Sequence, residues 1–183
     1  LKQGTMYSYT VLLNGTSTVR NGTFRAMFSP SERKPFSAAV VGDMGVNNSY
    51  NTVQMISKIK QGLNFSIHVG DVSYADDYHL PLHIEPSSGR GYESIYDLFQ
   101  NQVEVFASRI PYMVSPGNHD VSCHATGDHG CKDYQRNFTA FNTRFFMPSI
   151  ESGAAANSAQ HHNMWYSYQV SSVHFVSIST ETD

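Results

Sequence analysis

Three short motifs place side chains that bind metals directly after apolar runs. Asp43 lies in VVGDMG, Asp71 and Tyr74 lie in HVGDVSY, and Asn118 and His119 lie in SPGNHD. A lone Gly-Asp pair is typical of a turn, but the set supplies carboxylate, phenolate and amide oxygens, which are ligands of hard cations. We therefore predict that Asp43, Asp71 and a deprotonated Tyr74 hold a highly charged cation. Asn118 would hold a divalent one, with Asp71 bridging the two.

The elements that position these motifs have the pattern of a βαβ unit. The apolar runs FSAAVV and FSIHV end at Gly42 and Gly70, and between them apolar residues recur at helical spacing from Tyr50 to Ile59. Asn48 or Ser49 is expected to cap this helix at its start, and Gly62 to end it. Because ligands bind outside the carboxyl ends of strands in an open α/β sheet, the three motifs should converge there.

The second half of the chain continues the same pattern. Apolar residues at helical spacing between Tyr92 and Phe106 predict a longer helix, which leads into the run before Asn118. Trp165–Val170 and Val173–Ser179 are predicted to form a hairpin across a tight Ser-Ser turn. His174 is interpreted as a packed strand residue, and the pair His161 and His162 receives no role. The fold class is α/β (mixed α+β), with helices on the faces of the sheet.

The first residues have the pattern of a different domain. The stretch Met6 to Leu13 alternates as a half-buried strand does, and Gly22 to Phe28 completes a hairpin. Two strands alone are marginal in water, so the hairpin is interpreted as the end of a β domain. The predicted organisation is residues 1–30 for these strands, 31–35 for a linker, and 36–183 for the α/β domain.

Composition limits the partners and the compartment. The net charge of −3 excludes a basic field for nucleic acid, and no apolar run approaches the roughly 20 residues that cross a bilayer. The chain begins with Leu1 and shows no signal peptide, which fits a processed protein or a fragment. Asn-x-Ser/Thr triplets nevertheless indicate the secretory route and predict N-glycans at some of these acceptors. They are Asn14, Asn21, Asn47, Asn64 and Asn137.

The two cysteines, Cys123 and Cys131, admit two interpretations. The loop between them contains His124, Asp128 and His129, so a zinc site is one alternative. The spacing matches no standard zinc pattern, and two cysteines that close a short polar loop in an oxidising compartment more often form a disulfide. The disulfide is the favoured interpretation.

GDMG, GDVSYAD and GNHD resemble the first three of the five metal-binding motifs of the purple acid phosphatases, within the metallophosphoesterase superfamily. GDVSYAD is the most specific, because most other metallophosphoesterases lack a tyrosine at the position of Tyr74. LKQGTMYSYTV resembles the end of the fibronectin III-like domain that precedes catalysis in the larger plant and fungal enzymes. MWYSYQVSSVHFVSIST resembles the strands that follow the third motif. The resemblance implies the N-terminal half of a metallophosphoesterase-type sheet.

The resemblance implies a dinuclear centre with a role for each motif residue. Asp43, Asp71 and Tyr74 would bind Fe(III), and Asp71 and Asn118 would bind a divalent Fe, Zn or Mn. His119 would contact the substrate phosphate or protonate the leaving oxygen. Such a metal pair lowers the pKa of bound water, so that a metal hydroxide attacks a phosphate monoester even in acid. The expected protein is an acid phosphatase that is secreted or resides in a lysosome-like or vacuolar compartment. A homodimer is one possible oligomeric state.

Two departures from the family pattern qualify these expectations. The histidines of the remaining two motifs should lie beyond Asp183, so this chain alone is expected to bind the metals poorly and to be inactive. The third motif has Asp120 where many plant members have Glu, which puts the hydrogen bonding around Asn118 in question. Two rival hypotheses stay open: a hydrolase of phosphodiesters or nucleotides, and a secreted glycoprotein that keeps the fold only for binding.

Overall fold

The computed structural model describes residues 1–15, 17–78, 91–123, 131–148 and 163–181. The first described element is an antiparallel hairpin of β1 (Met6–Leu13) and β2 (Ser17–Arg25), with an irregularity between Val11 and Leu12. Within the described residues these strands pair only with each other. A hairpin at this place agrees with the sequence, whereas its assignment to a fibronectin-like domain, and the domain limits, stay predictions.

The centre of the molecule is a parallel sheet with the order β3, β4, β5. Its strands are β3 (Ala38–Val41), β4 (Phe65–Val69) and β5 (Tyr112–Ser115). Helix α1 (Tyr50–Ile59) connects β3 to β4 and buries Val53 and Ile56, which confirms the predicted βαβ unit. The parallel register brings the carboxyl ends of all three strands to one edge of the sheet.

Ser49 directly precedes α1 and the helical stretch ends at Gly62, both as predicted, but the two helix ends differ from the prediction in detail. Ser49 precedes the helix but makes no capping hydrogen bond, because its buried hydroxyl lies 3.4 Å from Oε1 of Gln102 on the next helix. At the other end α1 stops at Ile59, and a 3₁₀ turn over Lys60–Gly62 follows. Tertiary packing therefore outweighs the local preference of serine for a cap.

Helix α2 (Tyr92–Ala107) leads into β5 and covers one face of the sheet. Its buried positions recur at helical spacing and include two tyrosines among the apolar residues. They are Tyr92, Ile95, Tyr96, Phe99, Val103 and Phe106. Phe99 packs beside His68 of β4, with ring centroids 5.9 Å apart. The predicted second helix is thus confirmed, and its apolar face forms much of the core.

A second hairpin, β6 (Trp165–Val170) and β7 (Val173–Ile178), confirms the predicted strand pair. The Phe175 ring packs edge-on against Phe65 of β4, with the centroids 5.4 Å apart. His174 is exposed, so its interpretation as a packed residue was wrong. Side chains alternate along β7, and the inward position belongs to its neighbour Phe175.

The short helix α3 (Thr139–Arg144) lies between the sheet and the second hairpin in sequence, and a disulfide precedes it. Cys123 and Cys131 are bonded, with their Cα atoms 5.6 Å apart. Their sulfurs are therefore not available as zinc ligands, and the disulfide prediction is confirmed. The other members of the zinc alternative, His124, Asp128 and His129, lie outside the described residues, as do His161 and His162.

Candidate metal centre

Backbone hydrogen bonds hold the three motifs together beyond the ends of the strands. The loop after β3 pairs with the loop after β4 through two hydrogen bonds. The amide of Asp43 donates to the carbonyl of Gly70 at 3.2 Å, and the amide of Gly45 donates to the carbonyl of Val72 at 3.1 Å. The amide of Gly70 in turn donates to the carbonyl of Ser115 at 3.1 Å. The sheet thus continues as a set of bonded loops, and the predicted convergence is observed.

The side chains of Asp43, Asp71 and Tyr74 meet at this edge. The Tyr74 hydroxyl donates to Oδ1 of Asp43 at 2.9 Å and lies 3.2 Å from Oδ2 of Asp71. All three residues have left-handed backbones, with φ of 52°, 53° and 52° in the same order. Non-glycine residues rarely adopt this conformation, and it concentrates at functional sites where the surrounding structure enforces it.

The oxygens of this cluster suit a cation. Burial, followed by the hydrogen bond to Asp43 and the charge of Asp71, raises the pKa of Tyr74 well above its ordinary value. In the protein alone the phenol therefore keeps its proton and bridges the two carboxylates. A highly charged cation would replace that proton, because it favours the phenolate and neutralises both carboxylates. The donor set of two carboxylates and one phenol thus fits a hard metal ion.

Two glycines allow the loops to approach this closely. A Cβ atom on Gly117 would lie 2.2 Å from Oδ1 of Asp71 and 2.6 Å from its amide nitrogen. Gly45 has a φ of +63°, and a Cβ there would lie 3.1 Å from the Tyr74 ring. Any side chain at Gly117 would therefore displace the central carboxylate.

Asn118 lies at the start of a 3₁₀ turn over Asn118–Asp120, directly after Gly117. It is exposed, and together with Asp71 it lines an open cavity of about 210 Å³. The far wall of the cavity is the segment from Ile178 to Glu181 at the end of β7. The structure thus places Asn118 beside Asp71, as a shared metal pair would require.

His119 contacts both other motifs. Its amide donates to Oδ1 of Asp71 at 3.1 Å, and its ring lies 4.4 Å from the ring of Tyr74. Its Nδ1 lies 2.7 Å from Oδ2 of the buried Asp76. Asp76 is thus buried against His119, whereas its neighbour Asp77 is exposed.

The pKa values of this pair follow from burial and charge. Burial opposes the charged form of His119, but the hydrogen bond to Asp76 and the charges of Asp76 and Asp71 outweigh it and raise its pKa. Burial also raises the pKa of Asp76, although the bond to His119 acts in the opposite direction. Both shifts favour a proton retained between the two side chains. Ligand atoms of Asp76, Asp77 and His119 also lie within 4.8 Å of one another, a spacing that a metal could span.

Asp120 and Tyr96 form the inner support of the site. Asp120 is fully buried and accepts hydrogen bonds from the amides of Val72 and Gly117 and from the Tyr96 hydroxyl. The sequence left the role of Asp120 open and gave Tyr96 none. A tyrosine at a core position of α2, where its neighbours are apolar, is the signal that could have identified it.

The structure thus combines a parallel sheet with acidic side chains that collect at its carboxyl edge. Residues 36–179 match the calcineurin-like phosphoesterase family, and the chain belongs to that family. Within the described residues, no helix combines the length and apolar character needed to cross a membrane.

Similar proteins are acid and purple acid phosphatases. An acid phosphatase of Aspergillus ficuum is 31% identical over 100% of this chain and 40% of its own length. Acid phosphatase A of Cryphonectria parasitica is 31% identical over 89% of this chain and 41% of its own length. A purple acid phosphatase isolated from yellow lupin (Lupinus luteus) seeds has a similar structure, with a TM-score of 0.70 and 27% identity over 100% of this chain and 31% of its own. The chain thus spans between 31% and 41% of the length of these relatives.

Proposed function

We propose that this chain is part of an acid phosphatase that hydrolyses phosphate monoesters at a dinuclear centre of Fe(III) and a divalent Fe, Zn or Mn. The observation that carries the proposal is the position of the Tyr74 hydroxyl, within hydrogen-bond distance of both Asp43 and Asp71. A phenol between two carboxylates is a ligand set for a ferric ion, and the names of the similar proteins support the same activity.

In this proposal Asp43, Asp71 and Tyr74 would hold the ferric ion, and Asp71 and Asn118 would hold the divalent ion. When bound, the metal pair supplies Lewis acidity and lowers the pKa of a coordinated water. The residues of this chain orient the pair, since Asp71 is fixed by the amide of His119 at 3.1 Å and closely approached by Gly117. The cavity between Asp71, Asn118 and the end of β7 is the place for the substrate phosphate.

His119 is the proposed proton donor to the leaving oxygen. Its Nδ1 is held by Asp76, which leaves Nε2 as the ring atom that can reach the substrate. The raised pKa of His119 keeps the ring protonated in acid, as a general acid must be. Asp76 acts through His119 and is a positioning residue.

The proposal includes the compartment and the modifications. We infer secretion or delivery to a vacuole from the Asn-x-Ser/Thr triplets and the disulfide, since disulfides persist in oxidising compartments. N-glycans are expected on some of the five acceptor asparagines.

The test compares two substrates in a polypeptide that carries this chain and the segments that its relatives have beyond it. We expect hydrolysis of p-nitrophenyl phosphate in preference to bis(p-nitrophenyl) phosphate. Asp71→Asn should lower kcat/KM by more than about 100-fold, since even residues that only support ligands cost about 10- to 100-fold. The matched control is Asp133→Asn, which changes a fully exposed carboxylate and should have no effect.

Two outcomes would contradict the proposal in different ways. A preference for the diester would keep the metal site but change the substrate class. If the metal-loaded protein hydrolyses neither ester, the result would favour the rival hypothesis of a secreted glycoprotein that keeps the fold only for binding. One similar Arabidopsis thaliana protein, 32% identical, is named a probable inactive purple acid phosphatase, so the second outcome has a precedent.

A further inference from the structure

We propose that Asp120 and Tyr96 are positioning residues that set the distance between the two metal-ligand loops after β4 and β5. The inference rests on the metal site of the proposed function and adds two side chains that lie outside it. It starts from one buried carboxylate and the groups that surround it.

Asp120 connects the two loops through their backbones. Its Oδ2 accepts from the amide of Val72 at 3.2 Å and from the amide of Gly117 at 3.0 Å. Val72 directly follows the proposed bridging ligand Asp71, and Gly117 directly precedes the proposed ligand Asn118. One carboxylate oxygen therefore holds the neighbours of both ligands.

Both amides depend on this carboxylate. Among the hydrogen bonds of the described residues, the amides of Val72 and Gly117 donate only to the Asp120 carboxylate. Without this carboxylate the buried Val72 amide and the part-buried Gly117 amide would both lose their acceptor, so both loops would have to move to find water or a new partner. Because Gly117 lies in contact with Asp71, such a movement changes the metal ligands directly.

Tyr96 fixes the carboxylate itself. Its hydroxyl donates to Oδ1 of Asp120 at 2.9 Å, and the whole residue is buried. The Tyr96 ring is held on two sides, by the ring of Tyr92 at 5.4 Å and by the guanidinium of Arg144 at 5.0 Å. Arg144 in turn pairs with Glu93 at 2.7 Å, which joins α3 to α2. The position of the loops is thus set by the helices behind the sheet.

The contacts of Asp120 also explain why an aspartate fits at this position better than a longer glutamate. Asp120 already receives bonds from two loops and one helix, and Gly117 has no space for a Cβ atom against Asp71. A glutamate would carry the same charge one methylene further, so the loops or Tyr96 would have to shift to receive it. Asp120 and Tyr96 are therefore matched to each other in this chain.

The experiment uses the longer polypeptide of the activity test, which carries this chain and the segments that its relatives have beyond it. Its affinity for Zn²⁺ in the metal-free form is measured by competition with a fluorescent chelator. Asp120→Asn keeps the shape but replaces one acceptor oxygen with a donor, and we expect Zn²⁺ binding to weaken by about 10- to 100-fold. Tyr96→Phe removes a single hydrogen bond and should weaken binding by roughly 3- to 10-fold without unfolding the protein. Asp133→Asn and Tyr134→Phe, on an exposed turn, are the matched controls.

A second readout separates positioning from stability. At saturating metal, kcat of Tyr96→Phe should stay below that of the unchanged protein, whereas KM should change little. Wild-type Zn²⁺ affinity and wild-type kcat in Tyr96→Phe, accompanied by a lower Tm, would overturn the inference, because support of the fold alone would then explain the residue. If the unchanged protein itself binds no Zn²⁺, the proposed function fails instead, so the two failures are distinguishable.

Discussion

Tyr74 is the residue with the most specific chemistry in the molecule. Burial and the carboxylates of Asp43 and Asp71 raise the pKa of Tyr74, so its hydroxyl is protonated in the metal-free protein. Among the proposed ligands, Tyr74 is the one that must release a proton when the metal binds. Metal binding and proton release from Tyr74 are therefore coupled. The same coupling makes the residue easy to test.

Tyr74→Phe should remove the phenolate and with it the visible absorption of a ferric phenolate centre. We expect the band to disappear from the full-length protein, and the affinity for iron to decrease because one charged ligand is lost. The measurement is the visible spectrum together with the iron content. Tyr50→Phe, which changes an exposed tyrosine at the start of α1, is the control. An unchanged spectrum in Tyr74→Phe would remove this residue from the metal.

The loops and strands decide how closely the ligands approach, and Gly117 is the clearest case. Gly117→Ala would place a Cβ atom 2.2 Å from Oδ1 of Asp71. We expect a loss of about 1–3 kcal/mol in the free energy of unfolding and a loss of metal affinity. Gly62→Ala is the control, since a Cβ atom there contacts nothing within 4 Å. Denaturant unfolding and metal titration of both variants test the expectation, and equal behaviour of the two would contradict it.

Strand β4 carries a buried histidine that should make the fold sensitive to acid. Burial lowers the pKa of His68 to about 4, and its Nδ1 is bonded to the hydroxyl of Tyr112. The unfolded chain binds the proton near pH 6.5 and the folded protein only near pH 4, so stability is lost as the pH falls through this window. The slope is about 1.4 kcal/mol per pH unit.

The measurement is the free energy of unfolding between pH 7 and pH 4. His68→Gln keeps a polar partner for Tyr112 but cannot be protonated, so its curve should be flatter in this range. His174→Gln changes an exposed histidine of β7 and should retain the wild-type slope. A slope unaffected by His68→Gln would show that other groups cause the acid sensitivity.

The whole molecule presents apolar side chains on the faces of its sheet and second hairpin. Val40 of β3 is 64% exposed, and Val176 and Ile178 of β7 are 62% and 68% exposed. The relatives are more than twice as long as the residues matched here. An exposed apolar face of this kind is typical of a surface that another part of a protein covers.

We expect the 183 residues alone to bind the metal pair weakly and to show no phosphatase activity, because they do not include the histidines of the remaining two motifs. A longer polypeptide that continues beyond Asp183 should bind both metals and hydrolyse p-nitrophenyl phosphate. Metal content and activity of the two proteins, purified in parallel, are the measurements. Equal metal binding by both would show that the proposed ligands of this chain suffice.

The sequence by itself determined the order of α1, α2 and the main strands, and it identified the residues proposed as ligands. Helical spacing identified α1 and α2, alternation identified the two hairpins, and the three strand-end motifs identified Asp43, Asp71, Tyr74, Asn118 and His119. These features depend on residues that are close in the chain. Parallel pairing of strands then brings their carboxyl ends together whatever the details of packing, so convergence could also be predicted.

Only the tertiary structure decided which polar side chains support the site. Asp76 and Asp77 are adjacent in sequence, yet one is buried against His119 and the other is exposed. Tyr96 and Asp120 are 24 positions apart and meet because α2 packs behind the loops. The same packing places the Ser49 hydroxyl beside Gln102 of α2, where it does not cap α1. These outcomes depend on contacts between elements that are distant in the chain, and the local spacing of residues does not predict such contacts.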